Sequence, residues 1–553
     1  MAEPRKHMNF ADVKARRGKL TPQEQNKLIK DGLDVLPDIY RYATTGFASI
    51  AESDFERLKW YGVYRQKPKS SGYFMLRTKI PGGRLNSTQA KVIAGIVEKY
   101  ARGFCDVTTR QTFQMHWLRI EDIPDIFGQL NSVGMTTSGA CGDDTRNVVG
   151  CPVAGVDKHE IFDATEFNRA ISDYMTFNRD FSNMPRKYKI SVSGCHLHCA
   201  QPDINCLGFF GVIKKDGTRG FGVKVGGGLS AAPHMAQVLP IFIPLDVKQV
   251  IEVLHHISAL YRDEGYRDAR TCARIKFLMA DWGPVKFTAE LEKRIGRKLE
   301  VGEDWVFPKD PETDHFGVHE QKQAGLNYLA ISCLGGRISA DKLRQIAELA
   351  EKYGDGQISA TNKQNIIILN VPKPNLPALL KECDDRNLLY KSSEFRKGGV
   401  SCTGIEFCNL AVAETKNRLM LLVEQLEEMH PNFDRKIRFH FSGCPSACGQ
   451  HQIADIGFRG KTFSENGMDL DGFDMFLGGG LGADRKFNQL VFIKIPSRDL
   501  HHYVSRVISF YDTNKSNGES FKDFFTRTGR DKCEAELKQV QQTLATAALP
   551  KAA

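Results

Sequence analysis

Near the C-terminal end of the chain four cysteines fall into two short pairs, Cys402 and Cys408 enclosing five residues and Cys444 and Cys448 enclosing three. Four thiolates brought together from two loops are the ligand set of a [4Fe–4S] cluster, in which each iron corner takes one soft ligand. Their surroundings, Cys402-Thr-Gly-Ile-Glu-Phe-Cys408 and Ser442-Gly-Cys444-Pro-Ser-Ala-Cys448-Gly-Gln450, are rich in small residues and glycine, which let backbone approach a bulky inorganic core. The competing chemistry is a structural zinc ion. Cys₄ zinc sites pair their ligands through two to four intervening residues, a spacing the second pair meets and the first does not. The spacing favours the cluster and leaves zinc open.

The elements that must position these loops are written twice. Gly82-Gly83-Arg84, Glu98-Lys99-Tyr100 and Thr108-Thr109-Arg110-Gln111 return as Gly335-Gly336-Arg337, Glu351-Lys352-Tyr353 and Thr361-Asn362-Lys363-Gln364, every pair 253 positions apart. Register kept over about thirty residues marks an internal duplication. Each copy reads as strand, amphipathic helix, strand. Phe74–Ile80 has strand composition and ends at Pro81-Gly-Gly, and Gln89–Tyr100 places Val92, Ile93, Ile96 and Val97 at helical intervals. This pattern predicts small α+β modules of the ferredoxin-like kind. A second unit repeats at an offset of 249, Arg186–Gln201 against Arg435–Gln450, and both copies run on to a Gly-Gly-Gly-Leu turn, at Gly226–Leu229 and Gly478–Leu481. The expected fold class is α+β, internally duplicated, with the halves in a pseudo-twofold arrangement.

The halves differ at the cysteines. Cys402 and Cys408 correspond to Cys151 and Asp157, so the first half keeps three of the four candidate ligands. A carboxylate is a hard ligand and a poor substitute for thiolate at a cluster, which assigns the cluster to the second half. Cys195, Cys199 and the intervening His196 and His198 are expected to be remnants of the duplication rather than a second metal site.

With 553 residues, 41% hydrophobic and 26% charged, the chain has an ordinary globular composition and room for several cores, which excludes a disordered chain. The longest apolar stretch, Val238–Leu245, is too short for a bilayer span, and the first residues lack an apolar signal core, so a cytoplasmic protein without a membrane segment is expected. Fourteen cysteines, clustered in short pairs, suit ligation in a reducing compartment rather than a disulfide scaffold. The net charge of +10 comes without a long Lys/Arg run or a recognisable nucleic-acid module. It fits a field that gathers anionic substrates and acidic electron carriers, not nucleic acid.

On these motifs the chain resembles the siroheme-containing nitrite and sulfite reductases, a likeness running from Lys59-Trp-Tyr-Gly-Val-Tyr-Arg-Gln-Lys-Pro68 to Phe521-Lys-Asp-Phe-Phe525. The resemblance implies a [4Fe–4S] cluster on Cys402, Cys408, Cys444 and Cys448, with Cys448 also bridging to the iron of siroheme. It implies an anion site made of Arg77, Arg146, Lys187 and Lys189, and contacts to siroheme carboxylates from Arg110, Gln111, Gln114 and His116. Lys187 and Lys189, two apart on a strand, share one face. Arg77 is matched by Ala330 in the other half, as befits a residue that serves one site rather than the fold. The implied organisation is an N-terminal wrapping segment (1–70), a first ferredoxin-like half-module (71–135), a first siroheme-binding unit on the substrate side (136–320), a second half-module (321–392) and a cluster-bearing unit (393–553). The N-terminal forty residues are expected to pack outside the duplicated core, and the stretch from Leu544 to Ala553 to be a loose tail after a last helix.

The implied activity is six-electron reduction of a small oxyanion by a monomeric enzyme. Lys189 is the residue typical of sulfite reductases, where nitrite reductases tend to carry Asn, whereas Lys59-Trp-Tyr-Gly and Arg146-Asn-Val-Val-Gly-Cys-Pro-Val-Ala-Gly155 read more like the nitrite branch. Sulfite to sulfide is the expected reaction, with nitrite to ammonia as the alternative. No Gly-x-Gly-x-x-Gly fingerprint follows a strand and no flavin module is attached, so a separate donor such as ferredoxin is expected. Two remoter readings stay open. A precorrin-modifying relative would share the fold but lack the basic clamp, and a non-catalytic cluster or zinc protein would be without the strong colour of siroheme.

Overall fold

A computed structural model describes residues 20–310, 315–465 and 467–547, and among these the strands form four five-stranded sheets. The first is antiparallel, in the order β1 (Val63–Arg65), β2 (Phe74–Arg77), β5 (Phe113–Leu118), β4 (Phe104–Val107), β13 (Arg337–Ser339). Its duplicate runs β11 (Gly317–Glu320), β12 (Leu326–Ile331), β15 (Ile366–Pro372), β14 (Gln357–Ala360), β3 (Arg84–Asn86). The two modules therefore exchange a strand. Arg84–Asn86 of the first pairs with the second, and Arg337–Ser339 of the second pairs with the first, in the same register. The turns before the exchanged strands require glycine: a Cβ on Gly83 would sit 2.1 Å from the Ala360 carbonyl, and one on Gly336 would sit 2.2 Å from that of Val107.

Each exchanged strand feeds a helix, Ser87–Tyr100 and Ala340–Tyr353, started by a side-chain cap on Asn86 or Ser339. The helices pack on each other and are laced by reciprocal ion pairs, Lys91–Glu351 and Arg344–Glu98, each 2.5 Å. Their apolar faces close one shared core, in which Ile93 and Val97 join Leu343 and Ile346. The half-modules predicted as separate units are thus one body. The strand predicted over 74–80 ends at Arg77, because Lys79 turns away to bridge Thr136.

The larger units carry mixed sheets. In the first, β6 (Val149–Gly150), β7 (Ile190–Ser193) and β8 (Leu207–Ile213) are parallel, and β9 (Arg219–Val225) and β10 (Gln237–Pro244) continue antiparallel. In the second, β16 (Gly399–Ser401), β17 (Phe439–Ser442) and β18 (Ile456–Glu465) are parallel, followed antiparallel by β19 (Met468–Leu477) and β20 (Gln489–Pro496). Each has its own core. The loops leaving the C-terminal ends of β6, β7, β16 and β17 carry the cysteines, where parallel strands commonly present ligands.

Residues 1–19 of the N-terminal segment lie outside the described residues; its first helix packs against the first unit, but Leu33, Val35 and Ile39 enter the core of the ferredoxin-like modules, which corrects the expectation that the first forty residues stay outside it. Glu24 and Lys27, on the helix Pro22–Ile29, are buried against Arg267 (2.8 Å) and Asp143 (3.3 Å). The C-terminal expectation needs correction over Leu544–Ala547. These residues belong to the helix Arg530–Ala547, and Leu544 packs on the second unit's core, an apolar contact that extends the helix; residues 548–553 lie outside the described residues. Among the described residues no helix is long and apolar enough to cross a membrane.

Candidate functional site

The four cysteines converge. Cys402 follows β16 directly and is fixed by its N–H to the Phe441 carbonyl (3.0 Å), while Gly443 N–H donates to its Sγ at 3.2 Å. Val412 N–H to Gly443 O (2.9 Å) stitches the loop of Cys408 to that of Cys444. Ala447 takes a positive φ of 55°, and the turn leaves Cys448 exposed while Cys402, Cys408 and Cys444 are half-buried. Burial, and then the neighbouring thiol of Cys448, pushes the Cys402 thiol up to about 12. Burial is likewise the first cause that raises Cys408, with Cys448 and Cys444 adding to it. Thiols within electrostatic reach of one another are costly to ionise unless a metal centre compensates the charge, and a coordinating metal deprotonates them outright.

Facing Cys448 is a cationic wall. Lys187, Tyr188 and Lys189 are extended, with Tyr188 fully buried in the core, so the two lysines share the opposite face. Tyr188 bridges the segment of Thr145, and Arg146 N–H donates to the Tyr188 carbonyl at 2.8 Å, which sets Arg146 beside the lysines. Burial holds Lys187 down at about 8 against the pull of Cys448. Burial first, then Lys187, Arg110 and Arg274, holds Lys189 well below its ordinary value. Arg110 is lowered to about 9 by burial, with Arg146, Arg77 and Arg274 adding to it. Arg77 is tied by its Nε to Gln114 Oε1 (3.1 Å), and Gln114 Nε2 donates to Thr403 Oγ1 (2.9 Å) next to Cys402.

Among the described residues none of Arg77, Arg110, Arg146, Lys187, Lys189, Arg274 and Lys276 forms an ion pair; the side-chain partners of the four arginines and Lys276 are carbonyls, amides, a phenol, a hydroxyl and a thiol. The second half treats its counterparts differently. Lys397, in the place of Arg146, pairs with Glu394 (2.6 Å); Lys436, in the place of Lys187, pairs with Asp310 (2.6 Å); Arg438, in the place of Lys189, is held by Asp455 (2.9 Å). A cation drawn out of water without a counter-charge is expensive, and seven together, three buried and four half-buried, call for a polyanion between them.

Sequence reasoning missed Arg274 and Lys276. Their Arg-x-Lys spacing at the start of the helix Ile275–Ile295 repeats that of Lys187 and Lys189 and was a legible signal. Lys276 is lowered to about 7, first by burial and then by Arg274. Two of the expected siroheme contacts, Gln111 and His116, are fully buried with partners inside the protein. Gln111 is fully buried, donating to Gly82 O (3.2 Å) and Ala360 O (3.1 Å) and accepting from Gly150 N–H (2.8 Å). His116 is fully buried, bonded to Asp106 (3.0 Å) and stacked 3.7 Å from Phe407, inside the cysteine loop. Gln111 braces backbone, and His116 braces Asp106 and the cysteine loop.

Comparison with known proteins decides the family. The family described as "Nitrite and sulphite reductase 4Fe-4S domain" matches residues 141–299 and 399–543, and "Nitrite/Sulfite reductase ferredoxin-like half domain" matches 65–133 and 319–386. The chain belongs to the nitrite and sulfite reductase family. It is an oxidoreductase of the siroheme and [4Fe–4S] type, acting on nitrite or sulfite. The reductase is 36% identical to the assimilatory ferredoxin-dependent nitrite reductase of Haloferax mediterranei, over 92% of each chain. It is 35% identical to sulfite reductase [ferredoxin] 1 of Mycolicibacterium paratuberculosis, over 93% of this chain and 96% of that one. The solved structure of the Mycobacterium tuberculosis NirA protein superposes with a TM-score of 0.89 at 34% identity, over 95% of this chain and 99% of that one.

The residues present fit both groups. Four converging thiols suit the cluster, and the unpaired cationic wall suits the many carboxylates of siroheme and an oxyanion beside it.

Proposed function

We propose that the reductase converts sulfite to sulfide with six electrons drawn singly from a ferredoxin. The supporting observation is the pair Lys187 and Lys189, two ammonium groups on one face, neither ion-paired among the described residues, within electrostatic reach of Cys448. Sulfite carries more negative charge near neutral pH than nitrite, so a second cation gains more from it.

When bound, the siroheme and cluster supply a metal centre for the anion and a store for one electron at a time. In this reading Cys402, Cys408, Cys444 and Cys448 hold the cluster, and Arg110, Arg274 and Lys276 neutralise siroheme carboxylates. Arg77 and Arg146 grip the oxygens of the anion, Arg77 steadied by Gln114. Lys187 and Lys189 stabilise the charge that grows on oxygen as each S–O bond breaks, and give it protons from Nζ, refilled from solvent. The donor assignment is supported by the names of the relatives and by the net charge of +10, which suits an acidic partner.

Nitrite to ammonia is the second reading, favoured by the relatives from Haloferax mediterranei and Synechococcus elongatus, both named nitrite reductases at 36% identity. Side-by-side kcat/KM for the two anions, with reduced ferredoxin or methyl viologen, is the test. A ratio favouring sulfite is expected, and a ratio favouring nitrite by tenfold or more would replace this reading with the second.

A further inference from the structure

The pseudo-twofold counterpart of the cluster site is also a closed group of ligands. Cys151 follows β6 as Cys402 follows β16, and Cys195 and Cys199 follow β7 as Cys444 and Cys448 follow β17. Asn362 donates to the Cys199 carbonyl as Thr109 does to that of Cys448. The ligand atoms of Cys151, Asp157 and His315 lie within 4.8 Å of one another, and all three residues are buried. Cys195 Sγ is 4.0 Å from Asp157 Oδ2, and Cys199 hydrogen-bonds Cys151. His315 has no analogue among the cluster ligands. It reaches in from the segment preceding β11 with a positive φ of 51°.

Two features separate this group from a discarded copy. Asp157 is only 5% exposed, yet no lysine or arginine among the described residues pairs with it. A buried carboxylate without a cation calls for one. The spacing is also that of an ion rather than a cube. Zinc bonds of about 2.0–2.3 Å in a tetrahedron set ligand atoms roughly 3.3–3.8 Å apart, within a small side-chain adjustment of the spacing among Cys151, Asp157 and His315. Thiolate, imidazole and carboxylate together are a zinc donor set.

We propose that the first half binds one Zn²⁺ through Cys151, Asp157 and His315, with Cys195, whose Sγ lies 4.0 Å from Asp157 Oδ2, turning in as the fourth ligand, a structural site that replaces the lost cluster and ties the segment leading into the second ferredoxin-like module to the first unit. The ion closes a contact between halves and takes no part in the reaction.

Metal analysis of the purified holoenzyme tests it. About one zinc per chain is expected beside about five iron atoms from siroheme and cluster. Cys151→Ala and His315→Ala should lower zinc at least tenfold with the iron and the visible spectrum kept, whereas Cys402→Ser should lose cluster iron and keep zinc. Zinc below a tenth of an equivalent in protein made with added zinc would overturn the proposal. So would loss of zinc in Cys402→Ser, about nine irons per chain, or a Cys151–Cys199 disulfide in peptide mapping. If the Cys151 and His315 variants do not fold, zinc X-ray absorption on the wild type decides. Mixed sulfur and nitrogen/oxygen scatterers support the site, and a shell of sulfur alone or of oxygen and nitrogen alone overturns it.

Discussion

Gln201 and Gln450 hydrogen-bond each other reciprocally across the pseudo-twofold axis, Nε2 to Oε1 at 3.2 Å one way and 2.8 Å the other. Each stands two residues after its Cys-x3-Cys pair, and each has a left-handed backbone, with φ of 55° and 61°. The pair therefore fixes the cysteine turn of one half against that of the other. Replacing either glutamine by Ala removes both hydrogen bonds between the two amides and should cost about 1–3 kcal/mol, measured by denaturant unfolding. The double variant should cost clearly less than the sum, since the first change already removes the bonds the two amides share. Additive losses would mean that the two amides act separately.

Lys189→Asn tests the choice of anion. Its counterpart Arg438 is neutralised by Asp455, whereas Lys189 is not ion-paired. The variant should lower kcat/KM for sulfite by about 10- to 100-fold, or roughly 1.4–2.7 kcal/mol of transition-state stabilisation, and nitrite turnover by much less. Equal losses for both anions would remove Lys189 from specificity.

His116 makes a sharper test, because the family likeness and the geometry point different ways. Its ring is buried between Asp106 and Phe407 of the cysteine loop. His116→Ala should loosen that loop and lower cluster iron and stability while siroheme content stays near one per chain. Loss of siroheme with an intact cluster would restore the role the family likeness implied.

Much of this architecture was legible because duplication preserves spacing. The 253-residue register of Gly83 with Gly336 and Gln111 with Gln364 reappears as matched turns and matched buried amides. The exchange of Arg84–Asn86 and Arg337–Ser339 was not legible, since a three-residue strand is equally compatible with either sheet when both copies have the same pattern. Gln111 was placed at siroheme by the family likeness alone, and the motif gave no sign that its side-chain hydrogen bonds all go to backbone. Asp157 read as a lost ligand because chemistry was judged against a cluster, and only the approach of His315 across the fold gives it another setting.

The loop that carries Arg146 gives the reductase a two-sided dependence of stability on pH. Burial pushes the carboxyl of Asp143 up, but Lys27, Arg270 and Arg186 more than reverse this and hold it well below the usual carboxylate range. A depressed acid contributes stability that is present above its unfolded pKa, about 3.9, and is lost as pH falls toward the folded value. Asp144, the next residue, is raised to about 7 by burial against the pull of Lys79. The folded state there keeps a proton the unfolded chain has released, so stability falls as pH rises from about 4 to 7. Asp144→Asn should flatten the unfolding free energy over that window. Asp143→Asn should flatten it below about pH 4 and cost about 3 kcal/mol at neutrality, by leaving buried cations without their counter-charge. Urea unfolding midpoints from pH 3 to 8 separate the two, and parallel curves for wild type and Asp143→Asn below pH 4 would show that the pairing with Lys27 and Arg270 is not what holds this loop.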